Sequence, residues 1–203
     1  MTLELLLIRH GATTGNAERR YIGQATDLPL SEHGRKELTD RRARGVYPPA
    51  DALYSSPMSR CVETARLLYP MLVPTILPSL AELDFGAFEG KTYEQLKDDP
   101  AYRRWIDTQG LTAPPGGESG QEFTGRLRGA MRQIADDAGK RKISRAAVVT
   151  HGGCIMNLIV AFHSASHQGN TPVDMYDYQA VNGGGYRITV DTKTLSFLRI
   201  SSL

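Results

Sequence analysis

The chain has 203 residues, 40% of them hydrophobic and 23% charged, enough for one domain spanning 1–203 with a sizeable core. Its 24 Lys and Arg nearly balance its 22 Asp and Glu, which gives no footing for general nucleic-acid binding and permits an anionic small molecule. No apolar run approaches the ~20 residues of a membrane helix, and "MTLELLLIRH" lacks the basic start and length of a secretory leader, so a cytoplasmic protein with no membrane contact is expected.

Leu3 to Ile8 is apolar on both faces, as in a central strand. Gly11 to Leu30 is polar and turn-rich and reads as a long loop. Ser31 to Arg44 reads as a helix stopped by Gly45, and "ALYS", Ala52 to Ser55, as a short strand. Ser56-Pro57 predicts an N-cap followed by Pro at the first helical position, with the helix carrying Met58 to Tyr69 and stopping before Pro70. "TILPSLAELDFGAFEG" reads as a strand leading into a Gly-punctuated loop. Thr92 to Gln95 and Ser119 to Glu122 have capping-box spacing, and Asp99-Pro100 restarts a helix that Gly110 ends. Behind Ser119, Phe123, Leu127, Met131 and Ile134 recur at helical spacing. "GKRKISR" reads as a solvated turn before the strand Ala146 to Thr150, which a hydrophobic helix, Cys154 to Phe162, follows. His163 to Tyr178 reads as a long loop, and "GYRITVDTKTLSFLRISS" as a hairpin around a Thr-Lys turn. This alternation of strands and helices predicts a three-layer α/β/α sandwich around a largely parallel sheet.

Three of these strands end in unusual residues. "LLLI" delivers Arg9-His10-Gly11, "AAVVT" delivers His151-Gly152-Gly153, and "ALYS" delivers Ser55-Ser56-Pro57 and then Arg60 in the first helical turn. Ligands of open parallel sheets sit outside the carboxyl ends of the strands, so two His and two Arg should share one rim. Guanidinium forks match phosphoryl oxygens, and the glycines let the backbone approach a ligand closely. A neutral imidazole can attack phosphorus without first losing a proton.

Arg9-His10-Gly11, with Thr13 and Asn16 following, resembles the signature of the histidine phosphatase superfamily, whose fold is phosphoglycerate mutase-like. "SSPMSRCVETA", "LAELDFGAFEG", "PPGGES" and "VVTHGG" are similar to that family's later motifs, in family order. The resemblance implies a phosphomonoester hydrolase that needs no metal or other cofactor. His10 would be the nucleophile and carry a phosphohistidine. Arg9, Arg60 and His151 would bind the phosphoryl oxygens, with Asn16 and Gly152 assisting. Glu82 would give a proton to the leaving oxygen and then take one from water. Two arginines nearby should lower the pKa of that carboxyl, so it is expected to be a competent acid mainly in the substrate complex. Asp84 and Glu89 are rival carboxylates.

"RRYIGQATDLPLSEHG" looks most like the α-ribazole phosphatase branch, which removes the phosphate of α-ribazole 5′-phosphate in cobalamin assembly. A phosphorylated small molecule is thus the expected partner. Tyr21, Gly23 and Gln24 are candidate substrate contacts, as are Arg103, Arg104 and the loop from His163. The alternatives are a cofactor-dependent phosphoglycerate mutase and a silent phospholigand-binding module. Mutases of this type usually carry Trp just before the motif asparagine, where this chain has Gly15, and a longer insertion than Lys91 to Pro115. Cys61 and Cys154, far apart and without C-x-x-C spacing, read as buried reduced thiols. Cys61 to Arg66 is one residue short of the C-x5-R loop of cysteine phosphatases, and His163-x-x-x-His167 offers no third metal ligand nearby. Whether the protein is a monomer or a homodimer is open.

Overall fold

In the computed structural model, which describes residues 1–163 and 174–203, the strand Thr2–Arg9 (β1) runs through the middle of the molecule. A short helix, Thr14–Ala17 (α1), follows, then Glu32–Ala43 (α2), the strand Ala52–Ser55 (β2) and the helix Ser59–Leu68 (α3). Thr75–Ile76 (β3) is a two-residue edge strand. Two 3-10 turns, Tyr93–Leu96 (α4) and Pro100–Asp107 (α5) lead to the long helix Gly120–Arg141 (α6). Arg145–Thr150 (β4), Gly152–His163 (α7), a further 3-10 turn at Met175–Tyr178 within the stretch expected to be loop, Gly185–Asp191 (β5) and Phe197–Ser202 (β6) complete the described elements.

The strands form one sheet in the order β3-β2-β4-β1-β5-β6. β1 is parallel to β4, and β4 and β3 are parallel to β2, while β5 runs antiparallel to both its neighbours. The largely parallel sheet expected from the sequence is therefore present. Alternation along β1 divides two cores. Leu3, Leu5 and Leu7 pack with Leu127, Met131 and Ile134 of α6 and with Leu158 and Ile159 of α7. Leu6 and Ile8 face the other way, onto Leu38 of α2 and onto Cys61, Ala65 and Leu68 of α3. A third cluster, Phe88, Leu96 and Tyr102, carries Tyr21, Phe85 and Trp105 on its edge.

Parallel pairing decides where the site falls. Arg9 lies beside Thr150, and Ser55 beside Val149, so three strands end on one rim and deliver Arg9-His10, His151 and Ser56 together.

Local structure departs from the sequence reading in four places. The polar stretch after Gly11 holds α1, because Thr13 and Asn16 form a reciprocal capping box. α3 starts at Ser59 rather than behind a Ser56 cap. Asp27, from the long loop, accepts the Ser59 N–H and hydroxyl at 2.7 Å each and so caps the helix from outside. The "GKRK" run is split: Gly139, Lys140 and Arg141 close α6, and Lys142 ends it in the left-handed region at φ 56°. The extended stretch after Pro74 is a strand for only two residues and then turns through short 3-10 segments. The other two expected caps formed, on Ser119 and Thr92, and Asp99 caps α5 ahead of Pro100.

Gly34 tests how α2 seats against the loop after β1. A Cβ there would lie 2.2 Å from the Ala12 carbonyl oxygen, whereas one on Gly129 of α6 would meet nothing within 4 Å. Gly34→Ala should therefore lower the urea midpoint despite its better helix propensity, while Gly129→Ala should stabilise by about 0.5–1 kcal/mol. Equilibrium unfolding of the two variants measures both.

Candidate active site

His10 leaves β1 with its backbone fully tied. Its N–H donates to Thr150 at 3.0 Å, and its carbonyl accepts from Gly183 N–H at 3.1 Å and from Asn182 Nδ2 at 3.1 Å. Its ring nitrogen Nδ1 lies 2.7 Å from the Gly11 carbonyl oxygen. A carbonyl can only accept, so Nδ1 carries the proton and Nε2 holds the lone pair. Thr64 fixes that turn, accepting from Gly11 N–H at 3.0 Å while donating to the Arg60 carbonyl at 2.7 Å. Burial, helped by the charges of Arg60 and Arg9, pushes the His10 pKa down to about 3 against the pull of the Gly11 bond. The imidazole is neutral across the ordinary pH range.

His151 ends β4 and is 1% exposed. Its carbonyl accepts the Ile155 N–H, so α7 begins directly behind it. Ser56 holds the ring, Oγ to Nε2 at 2.8 Å, which is where the expected capping hydroxyl went. The His10 and His151 rings stand edge to face with centroids 5.2 Å apart. Burial, then the neighbouring His10 and Arg60, holds His151 well below the usual histidine range.

The two arginines are anchored by backbone carbonyls. Arg9 donates from Nη1 to Ala180 at 2.8 Å, and Arg60, 1% exposed, donates to Thr26 and Gly23 at 2.9 Å each. Both Nε atoms are buried and have no partner among the described residues. An unpaired buried donor costs roughly 1–3 kcal/mol, and here two belong to cations beside the same imidazole. Their arrangement suits a bound oxyanion. Gly152 helps, because a Cβ there would already touch the Arg9 guanidinium at 3.4 Å.

Glu82 is 8% exposed, its Oε1 accepting Leu83 N–H and its Oε2 accepting Gly153 N–H, both at 3.0 Å. A Cβ on Gly153 would lie 2.5 Å from Oε1, so only glycine admits the carboxyl. Its protonation behaviour corrects the sequence reading. Burial raises its pKa and outweighs the lowering by its two backbone bonds, Arg60 and Arg9. The carboxyl is thus biased toward the protonated form before any substrate arrives.

The rival carboxylates have other work. Glu89 accepts from Gly23 N–H, Ala25 N–H and the Thr26 hydroxyl, pinning the loop whose carbonyls hold Arg60. Asp84 accepts from Gly86 N–H and from Gln24 Nε2.

A cavity of about 290 Å³ opens over the site, with Arg9, His10, Asn16, Tyr21, Glu82 and Gly152 among its lining. Arg60 and His151 lie buried beyond that lining. Asn16 accepts from Thr13 and, at 3.3 Å, from Asn182. Gly23 and Gln24 do not line the cavity, nor do Arg103 and Arg104. Arg20, Ile22, Phe85, Met156 and Gln179, none of them read from the sequence as a substrate contact, do line it. Met156 follows Gly152 by one helical turn, a spacing that could have found it. No local pattern distinguishes Thr64, Gln179 or Asn182.

Cys61 is an inert neighbour: burial pushes its thiol up to about 12. His167 lies outside the described residues. Among the described residues no three His, Cys, Asp or Glu side chains are placed to hold a metal, and no helix is long and apolar enough to cross a membrane.

A mostly parallel α/β sheet with two histidines, two arginines and an acid at its rim defines a phosphohydrolase-type site. Residues 5–198 match the histidine phosphatase superfamily (branch 1), and the chain belongs to that family. It is 33% identical over 175 residues to a "metal-independent phosphoserine phosphatase" of Arabidopsis thaliana, covering 82% of this chain and 71% of that protein. It is 30% identical over 188 residues to a "Probable phosphoglycerate mutase GpmB" of Enterobacter sp., covering 87% and 86% of the two chains. Among solved structures it superposes on the alpha-ribazole phosphatase of Shigella flexneri with a TM-score of 0.80 at 25% identity, over 98% of this chain and 95% of the other. The protein is an enzyme of the phosphatase class.

The ionisation state of His10 can be read directly. The His10 ring signals in NMR should stay constant from pH 8 to about 5 and move only as the pH approaches 3. A midpoint near 6.5 would contradict the buried neutral imidazole.

Proposed function

We propose that the protein hydrolyses phosphomonoesters of small molecules through a phosphohistidine on His10, without a metal. The observation that carries this is the Nδ1–Gly11 hydrogen bond, which leaves Nε2 as the free nucleophile beside two guanidiniums whose Nε atoms are buried. In the first step, Nε2 forms a bond to phosphorus as the ester P–O bond breaks, and Glu82 gives its proton to the departing oxygen. The ring becomes cationic, and the Gly11 carbonyl at Nδ1 stabilises that charge. Arg9 and Arg60 offset the charge on the equatorial oxygens, with the neutral His151, Asn16 and Gly152 beside them. In the second step the Glu82 carboxylate takes a proton from water, the oxygen attacks phosphorus, and the N–P bond breaks to release inorganic phosphate.

Within the family the reading favoured is α-ribazole 5′-phosphate or a related small-molecule phosphate. It is supported by the likeness of residues 19–34 to that branch and by the similarity to the Shigella flexneri phosphatase. A phosphoglycerate mutase is the second reading, given the GpmB relative. Against it, a Cβ on Gly15 would lie 2.9 Å from both Ile22 and Leu28, so the bulky tryptophan expected of a mutase has no room there. A silent binding module would have no use for a buried carboxyl whose pKa burial raises.

Rapid mixing with p-nitrophenyl phosphate in the presence of a chelator should trap an acid-labile, base-stable phosphoenzyme that His10→Ala abolishes. A phosphoenzyme that persists in His10→Ala, or forms only with added metal, overturns the proposal. Glu82→Gln should slow hydrolysis of alkyl phosphates by about 10²–10⁴ and of p-nitrophenyl phosphate much less, because nitrophenolate needs little protonation. Phosphate binding should survive that change. Because Glu82 acts as an acid from a raised pKa, kcat/KM should fall as pH rises through it, and Glu82→Gln should remove that limb.

A further inference from the structure

Outside the phosphate cage the cavity wall changes character. Tyr21, Ile22, Phe85 and Met156 present apolar surface, and Asn16 and Gln179 add only neutral polar groups. Among the described lining residues, Arg20 is the one cation beyond Arg9, and its charge is already engaged. Its Nε donates to the Glu18 carboxylate, and its Nη1 donates to the Gly90 carbonyl at 2.6 Å. A carboxylate on a substrate would have to compete with Glu18 for that guanidinium while losing water against apolar side chains. Residues 164–173, outside the description, contain no Lys or Arg, and their one histidine is His167.

Tyr21, by contrast, is a fixed platform. Its hydroxyl pairs with that of Tyr102 at 2.7 Å, and its ring meets Phe85 and Trp105 edge to face at 5.1 and 5.8 Å. The loop behind it is pinned where Tyr21 N–H donates to Lys91 and its carbonyl accepts from Gly90. A ring already held in place loses little freedom when a planar group lies against it.

We infer that this wall selects phosphate esters of uncharged, ring-bearing alcohols and discriminates against esters carrying a carboxylate, with Tyr21 and Met156 as specificity-determining residues and the Glu18–Arg20 pair as the element that withholds a cation. The inference rests on the phosphomonoesterase reading and narrows its substrate class.

The test compares kcat/KM for four esters of primary alcohols: benzyl phosphate, a nucleoside 5′-monophosphate, O-phosphoserine and 3-phosphoglycerate. Their leaving groups are chemically alike, so differences report on the wall. The two ring-bearing esters should exceed the two carboxylates by about tenfold or more. Met156→Arg, which adds a cation to the wall, and Glu18→Gln, which frees the charge of Arg20, should each shift the ratio toward the carboxylates by about fivefold or more. Tyr21→Phe should keep the wild-type ratio, and Tyr21→Ala should erode it. Glu18 is exposed, so its variant stays informative even if Met156→Arg folds poorly. Equal or faster turnover of the carboxylates, or a ratio unmoved by Glu18→Gln, overturns the inference while the phosphohistidine chemistry stands. No phosphoryl transfer from any of the four or from p-nitrophenyl phosphate would instead overturn the phosphomonoesterase reading, and this inference with it.

Discussion

Burial of charge around a single point governs this protein. His10, Arg60, His151 and Glu82 meet nearly out of water at the ends of three parallel strands, with the half-buried Arg9 beside them. Removal from water penalises whichever form of a group is charged. For the imidazoles that means neutrality, which a nucleophile at phosphorus requires. For the carboxyl it means retention of the proton, which an acid requires. One physical cause therefore prepares both partners of the proposed first step, and the assignment of roles follows from environment rather than residue type.

The guanidiniums escape that rule because their ordinary pKa is so high, and the way they are held keeps their charge available. Arg9 and Arg60 are anchored by the carbonyls of Ala180, Gly23 and Thr26. Arg126 shows the alternative: it makes a bidentate ion pair with the Glu118 carboxylate and donates to the Glu82 carbonyl as a structural strut. Carbonyl anchoring fixes the fork without cancelling it. This is also what the long loop after α1 is for. Glu89 pins its backbone, Asp27 ties it to the start of α3, and its carbonyls then reach Arg60.

These relations explain how much was legible beforehand. The sheet, its helices and the rim were readable because hydrophobic period and strand-end glycines are local signals. Arg9, His10, Arg60 and His151 followed from three strands ending alike. What escaped depends on contacts distant in the chain. Ser56 reads as a helix cap from its neighbours alone, and only the position of β4 turns its hydroxyl to His151, 95 residues away. Glu89 reads as a surface loop residue until residues 23–26 fold over it. The Glu82 pKa was misread because two nearby arginines can be inferred from motifs, whereas depth of burial cannot. Met156 carries no motif of its own, Arg20 sits in one that does not mark it as a contact, and both enter the cavity through the path of the loop and the pitch of α7.

The opposing influences on Glu82 bear on the whole proposed cycle. A carboxyl that only felt burial would hold its proton through both steps and could not accept one from water. A carboxyl that only felt Arg9 and Arg60 would be ionised from the outset and could not protonate the leaving oxygen. The bonds from Leu83 and Gly153 favour the carboxylate, and burial favours the acid. Gly153 controls both sides of that balance: its N–H is one of the two donors, and its missing Cβ is what lets the carboxyl come this deep. The glycine after the second histidine thus matters less for chain flexibility than for bringing one carboxyl to a depth where giving and taking a proton are both feasible.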